Sequence, residues 1–450
     1  MLKKNDLAIL NIEEINDLGY GVGRIDGMVT FVAGGVTGDS IEARLIKVNA
    51  SYAVARIERV LVSSPLRSEP PCPVFRRCGG CSYLHVKETY EKEIKENHVR
   101  QAFLSQGLSP RILPIRDDGR LLRYRNKAMF PVDSTLAAGF FRAKSNEIVE
   151  NHDCLLQPEC FREILECVLA FAGKNGIAGY DREKKKGLLR HVYLRIGEKT
   201  GEIMACLVVN GASFPKEKEF CTELTSRFPA VKSILLSENR DPGSRILGDS
   251  FRLLWGKDSI EDVLCGVSLS IHPNSFYQVN RGGAELLYGE VIDRVRLCQP
   301  KKVLDLFCGI GSIGLAVAKA VGGISLTGYE IVPQAVENAK ENAVRNGIRD
   351  ASFFCGDLEQ EIGSLDALLG TSDLVILDPP RKGIEPTLAE KLIASRVRHI
   401  VYVSCDCKTL ARDAALLTKG GYSVGEVTPV NLFPRTGHVE CVVLLSKKES

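Results

Sequence analysis

The sequence predicts an α/β chain in three parts: a small N-terminal β-barrel, a mixed α+β middle, and a C-terminal doubly wound sheet. Two observations carry this. From about residue 300, apolar strands alternate with helical stretches, the pattern of a parallel sheet covered on both faces, and the first of these strands runs into a G-x-G-x-x-G turn. The first 60 residues instead hold short period-two segments punctuated by glycine. A length of 450 residues suits two to four domains, and the boundaries fall at 1–61, 62–270 and 271–450.

In the first part, Met28 to Ala33, Ser40 to Val48 and Tyr52 to Val60 alternate apolar and polar residues between Gly34-Gly35, Gly38-Asp39 and Asn49. Five such strands suggest an OB-like barrel, a common nucleic-acid platform. Four prolines between Pro65 and Pro73 form a linker. Beyond it Tyr90 to Ser105 reads as a helix, and Leu189 to Ile196 and Glu202 to Asn210 read as strands. In the last part the expected strands are Val303 to Phe307, Ile324 to Tyr329, Ser352 to Cys355, Leu374 to Leu377 and Ile400 to Val403. The expected helices include Pro333 to Asn346 and Glu385 to Ala394.

Composition narrows the class. With 44% hydrophobic and 26% charged residues the chain is globular, which excludes wholesale disorder. Its longest apolar runs, such as Ile164 to Ala172 with its interrupting Glu166, are far too short for a bilayer span. Lys3 and Lys4 precede only Leu7 to Leu10 before Asn11 and Glu13, so no export signal is read and the expected location is cytoplasmic. A net charge of +3 is mild, yet Arg100 to Lys127 carries seven bases against two acids, and Arg182 to Lys199 seven against two. Two basic runs suggest a track for nucleic-acid phosphates. Fifteen cysteines in a long chain read as thiols for metal or catalysis rather than as disulfides.

In an open α/β sheet ligands sit beyond the carboxyl ends of the strands. The first strand leads into Asp305-Leu306-Phe307-Cys308-Gly309-Ile310-Gly311-Ser312-Ile313-Gly314, whose Gly309, Gly311 and Gly314 allow close backbone approach to a dinucleotide or to S-adenosylmethionine. Glu330, Asp357, Asp378-Pro379-Pro380-Arg381 and Val403-Ser404-Cys405 follow the next four strands, so these carboxylates and a thiol converge. Separately, Cys72, Cys78 and Cys81 with a distant Cys154 or Cys160 form a loop able to wrap zinc or an iron-sulfur cluster.

These motifs, together with Ser275-Phe276-Tyr277-Gln278-Val279-Asn280, Thr409-Leu410-Ala411-Arg412-Asp413 and Phe433-Pro434-Arg435-Thr436-Gly437-His438-Val439-Glu440, resemble the RNA uracil-5-methyltransferases. Leu18-Gly19-Tyr20-Gly21-Val22-Gly23-Arg24 resembles the TRAM RNA-binding module, and the spacing of Cys72, Cys78, Cys81 and Cys154 resembles the [4Fe-4S] site of TRAM-bearing rRNA methyltransferases. The resemblance implies a Rossmann-like class I methyltransferase domain, a TRAM barrel and an iron-sulfur domain. It marks Cys405 as nucleophile and Glu440 as base. Gln278, Phe307, Gly309, Ser312, Glu330, Asp357 and Asp378 become S-adenosylmethionine contacts, and Phe276, Gln278 and Asp378 contacts to the target base. The implied substrate is 23S rRNA, acted on by a monomer away from membranes. Relatives that methylate tRNA, or an RNA-binding assembly factor without catalysis, are the alternatives. One departure stands out: Asp406-Cys407 replaces the family's usual Asn-Pro, which predicts a less constrained loop after Cys405.

Overall fold

The computed structural model describes residues 2–357 and 362–447. Its barrel comprises β1 (Leu7–Ile15), β2 (Tyr20–Ile25), β3 (Met28–Ala33), β4 (Ser40–Val48) and β5 (Tyr52–Val62), closed in the order β1-β2-β3-β5-β4. Alternation in sequence becomes alternation in burial: along β4, Ile41, Ala43 and Leu45 point inside while Ser40, Glu42 and Arg44 do not. Asp26 and Gly27 both take positive φ, 49° and 81°, as a tight β2–β3 hairpin turn requires. Fully buried Asp39 accepts the N–H groups of Val36 and Ser64 and pairs with Arg67, so the chain leaves the barrel along a defined path.

The middle part contains α1 (Glu88–Ser105), β6 (Lys127–Pro131), β7 (Gly139–Phe141), β8 (Ile148–Glu150), α2 (Glu159–Lys174), β9 (Leu189–Ile196) and β10 (Ile203–Val209). It continues with α3 (Glu217–Arg227), β11 (Val231–Glu238), β12 (Ser250–Gly256), β13 (Ile260–Leu264) and β14 (Val267–Ile271). Its main sheet has the order β12-β11-β10-β9-β6. Every residue of β10 is buried because the sheet is covered twice. Ile203, Ala205, Leu207 and Val209 pack with α2 and α3, whereas Met204 and Cys206 join a core shared with the C-terminal part.

The C-terminal part runs α4 (Arg281–Cys298), β15 (Lys302–Leu306), α5 (Ser312–Val321), β16 (Ser325–Glu330), α6 (Pro333–Arg345), β17 (Ala351–Cys355) and α7 (Ile362–Thr371). It ends with β18 (Leu374–Leu377), α8 (Pro386–Ala394), β19 (His399–Ser404), α9 (Cys407–Lys419), β20 (Tyr422–Val430) and β21 (Glu440–Lys447). The sheet order is β17-β16-β15-β18-β19-β21-β20. The first five strands are parallel and their order reverses between β15 and β18, where a crevice opens. The expected parallel sheet is extended by two antiparallel strands, since β21 pairs with both β19 and β20. Helix α1 packs on α9, and its Val99, Ala102 and Phe103 belong to the core around this sheet. Among the described residues no helix is long and apolar enough to cross a membrane.

Candidate active site and cysteine pocket

A cavity of about 690 Å³ opens at the strand ends. Phe307 and Gly309 line it after β15, Glu330 at the end of β16, Asp357 after β17, Asp378 after β18, Cys405 after β19 and Glu440 at the start of β21. Parallel strands deliver their carboxyl ends to one edge of the sheet, which is why residues 133 positions apart, from Phe307 to Glu440, share one wall. Phe276 and Gln278 form another wall. Ser312 does not line the cavity; its hydroxyl turns to the hydroxyl of Tyr288, 2.8 Å away.

The glycine-rich turn is held by its neighbours. Glu330 accepts the N–H of Gly309 (3.0 Å) and of Val332 (3.0 Å), locking the turn to the end of β16. Gly314 is needed for packing: a Cβ there would lie 2.6 Å from Asp305 Oδ2, which accepts the Gly314 N–H at 2.9 Å. Asp305 is buried behind the turn, not in the cavity, and burial pushes its carboxyl up to about 8. Phe307 has φ +64°, a strained conformation for a residue with a side chain, directly at the cavity wall.

The segment carrying Phe276 and Gln278 is pinned from below. Buried Arg195 donates to the carbonyls of Ser275 (3.1 Å) and Tyr277 (2.8 Å), and Asn126 donates to that of Gln278 (2.9 Å). Tyr277 donates to Asp262 at 2.9 Å, while Phe276 stays 68% exposed at the cavity rim, an aromatic face open to a base. Around Cys405 the backbone is equally fixed. Ser404 Oγ accepts the Asp406 N–H (3.1 Å), and Asp406 caps α9 by accepting the N–H of Lys408 (2.9 Å) and Thr409 (3.1 Å). The loop expected to be loose is therefore constrained by a side-chain cap in place of proline. Buried Asp413 accepts the Tyr402 hydroxyl (2.6 Å) and the Ile384 N–H (2.9 Å), tying β19 to the segment that follows Arg381.

Electrostatics set these groups apart. Burial, with Glu440 and Asp378 adding to it and Arg381 opposing it, pushes the Cys405 thiol up to about 11. Burial and Asp378 push Glu440 up to about 8, and burial alone pushes Asp378 up to about 7. Two carboxyls that titrate near neutrality and a thiol in one cavity suit proton transfer coupled to nucleophilic attack. Arg381 lies 3.3 Å from His438 Nε2, at the same wall.

Lys127 also lines the cavity, half-buried, with burial and the nearby Arg195 and Arg125 lowering its ammonium to about 8. Sequence reasoning counted it only within a basic run. Much of that run is engaged in ion pairs, with Arg111 and Arg116 still at the surface. Arg111 pairs with Glu426, Arg116 with Glu290, Arg120 with Asp118 and Glu198, and Arg123 with Asp153. In the second run Arg190 and Arg195 are buried, bonded to Asn239 and to the 275–277 backbone. Only Arg190 and Arg195 are withdrawn from solvent, so the two runs offer separate exposed bases rather than one continuous stripe.

Cys72, Cys78, Cys81 and Cys154 line a second, small cavity of about 50 Å³, walled by Phe75, Leu84, Leu122 and Phe140; Cys160 is not among its lining residues. Burial and the proximity of the other three thiols push Cys81 up to about 12. Among the described residues no three His, Cys, Asp or Glu side chains are grouped to hold a metal ion. Four thiols without a lining carboxylate or imidazole are a donor set suited to a thiophilic centre rather than a hard cation.

Residues 267–448 match the family described as tRNA (Uracil-5-)-methyltransferase. The chain is 37% identical to an uncharacterized RNA methyltransferase of Listeria innocua over 452 residues, 100% of this chain and 99% of that one. It is 36% identical to another of Clostridium acetobutylicum over 453 residues, covering 99% and 98%. Among solved structures it is similar to the Pyrococcus abyssi tRNA (uracil-54, C5)-methyltransferase in complex with S-adenosyl-L-homocysteine, with TM-score 0.80 and 29% identity over 97% of this chain and 100% of that one. With relatives of this extent and a cavity of this chemistry, the chain belongs to the tRNA/RNA uracil-5-methyltransferase family and is an S-adenosylmethionine-dependent RNA methyltransferase.

Proposed function

We propose that this enzyme methylates C5 of a uridine in 23S rRNA, with Cys405 as nucleophile and Glu440 as base. The observation that carries the reading is the shared cavity of Cys405, Glu440, Asp378 and Phe276. Uracil C5 is too weak a nucleophile to take a methyl group unaided. Cys405, as the thiolate, adds its sulfur to C6 and leaves C5 as an enolate carbon. S-adenosylmethionine, when bound beside Glu330 and Asp357, supplies an electrophilic methyl group. Glu440 then takes the C5 proton, and the C6–S bond breaks to restore uracil and Cys405. Arg381 favours the thiolate. Asp378 accepts the N3–H that uracil has and cytosine lacks, and Phe276 stacks on the extruded base.

In this reading residues 1–61 act as a TRAM RNA-binding barrel, 62–270 as an iron-sulfur and RNA-binding domain, and 271–450 as the methyltransferase domain. Cys72, Cys78, Cys81 and Cys154 hold a [4Fe-4S] cluster that serves folding and RNA placement, since methyl transfer needs no electron. A tRNA uridine is the second reading, favoured by the likeness to the Pyrococcus abyssi enzyme. The test is Glu440→Gln: with the base gone, attack proceeds and elimination stops. A covalent enzyme–RNA complex carrying a methylated uridine accumulates and survives a denaturing gel. Offering the variant 23S rRNA and tRNA in turn identifies the substrate by which RNA is trapped. A folded Glu440→Gln enzyme that turns over at the wild-type rate overturns the assignment.

A further inference from the structure

The barrel touches the catalytic site through one turn. Between β1 and β2, Asn16 Oδ1 accepts the N–H groups of Leu18 (3.1 Å) and Tyr20 (2.9 Å), and Gly19 takes φ +80°, so the turn is rigid. Buried Tyr83 donates its hydroxyl to the Asn16 carbonyl at 3.1 Å, fixing the turn against the chain that follows Cys81. From this turn Asp17 reaches two loops at once. Its carboxylate pairs with Lys408, in the first turn of α9 three residues after Cys405. Its carbonyl oxygen lies against Gly437, three residues before Glu440, where a Cβ would stand only 2.1 Å away.

The loop that carries Gly437 is clamped by the same half of the molecule. Ser82 and Tyr83 donate their N–H groups to the Arg435 carbonyl (2.9 and 3.0 Å), and Tyr124 donates to that of Pro434 (2.8 Å). Glu91 accepts the Arg435 N–H at 2.8 Å, and fully buried Lys95 bonds Glu91 (2.8 Å), Asn431 (2.7 Å) and the Phe433 carbonyl (3.1 Å). Arg435 itself has φ +67°, a conformation kept by surrounding contacts.

We propose that the β1–β2 turn is a positioning element for methyl transfer: Asp17 sets the spacing between the Cys405 loop and the Glu440 loop, so the barrel takes part in catalysis as well as in RNA binding. This rests on the assignment of Cys405 and Glu440 above. The Asp17–Lys408 pair is largely exposed, and such pairs contribute little stability. The larger constraint is the close approach at Gly437. A displacement of ~1 Å in a catalytic group costs on the order of 100-fold in rate.

The test uses the full-length enzyme. Gly437→Ala forces the base loop off Asp17, and kcat falls about 100-fold while KM for RNA and S-adenosylmethionine affinity stay within about threefold. Because Cys405 is left in place, the covalent RNA adduct accumulates, a readout that general loss of stability does not produce. Asp17→Lys lowers kcat, and combining it with Lys408→Asp restores it. Tyr83→Phe, which frees the turn, lowers kcat without raising KM. A folded Gly437→Ala enzyme with wild-type kcat, or one that loses RNA binding and forms no adduct, overturns the proposal. Should Gly437→Ala fail to fold, wild-type kcat in both Asp17→Lys and Tyr83→Phe overturns it. If Glu440→Gln traps the adduct and Gly437→Ala does not, only the positioning role falls; if neither traps it, the catalytic assignment falls.

Discussion

Glu440 is 4% exposed, and in the proposed reaction its burial beside Asp378 strengthens it as the base for a carbon-bound proton. Its carboxyl is raised to about 8, so at pH 7 most of it is protonated and only the ionised fraction is competent. A base with a raised pKa gains activity as pH rises through that value. The single-turnover rate therefore climbs close to tenfold per pH unit below about 8 and levels off above it. Cys405, pushed up to about 11, does not set that plateau, which belongs to the elimination step after the sulfur has already added to C6. A pH–rate profile that is flat between neutrality and alkaline pH would remove Glu440 from the proton-transfer step.

The N-terminus of α9 explains how the chain manages without the proline that the motif resemblance leads one to expect. Asp406 satisfies two of the helix's unpaired N–H groups. Its replacement by alanine is expected to cost about 1 kcal/mol in chemical denaturation and to lower kcat as the Cys405 loop loosens. The extra thiol, Cys407, points the other way: its sulfur approaches the His98 carbonyl at 3.9 Å, and it does not line the cavity. Cys407→Ala is thus expected to stay active while Cys405→Ala loses methyl transfer and keeps S-adenosylmethionine affinity within a few-fold. The reverse pattern, read in a tritium-release assay, would mean that the nucleophile had been misassigned.

The three parts share cores rather than standing apart: Ile15 and Val36 of the barrel pack with Tyr83 and Ile94 of the middle part. Met204 and Cys206 of the middle sheet pack with Val303 and Leu326 of the C-terminal part, and Phe103 of α1 packs with Leu410 of α9. Loss of the proposed cluster would then be felt at the active site, since Cys81 directly precedes Ser82 and Tyr83, which hold the Arg435 carbonyl. Anaerobically purified protein is expected to carry about four irons per chain. Serine at Cys72, Cys78, Cys81 or Cys154 should lower both iron content and the thermal midpoint. Stoichiometric zinc without iron would overturn the cluster assignment.

Local pattern was enough to find most elements. Leu189–Ile196 and Leu374–Leu377 are strands over the residues that periodicity names, and Cys405 and Glu440 stand out as residue types tied to motifs. Period and turn chemistry depend on neighbours in the chain, so one sequence carries them. What a side chain meets across the fold does not follow from its neighbours. Ser312 turns to Tyr288, Arg120 is taken by Glu198, Lys127 enters the cavity, and Asp17 lands on Gly437, 420 positions away. The antiparallel pair β20–β21 belongs to the same class, because an apolar strand reads alike whichever way its partner runs. Motifs along the chain name the candidate groups for the proposed chemistry. Which of them meet is set in the folded protein, because long-range packing, and not local propensity, chooses the partner of each buried group.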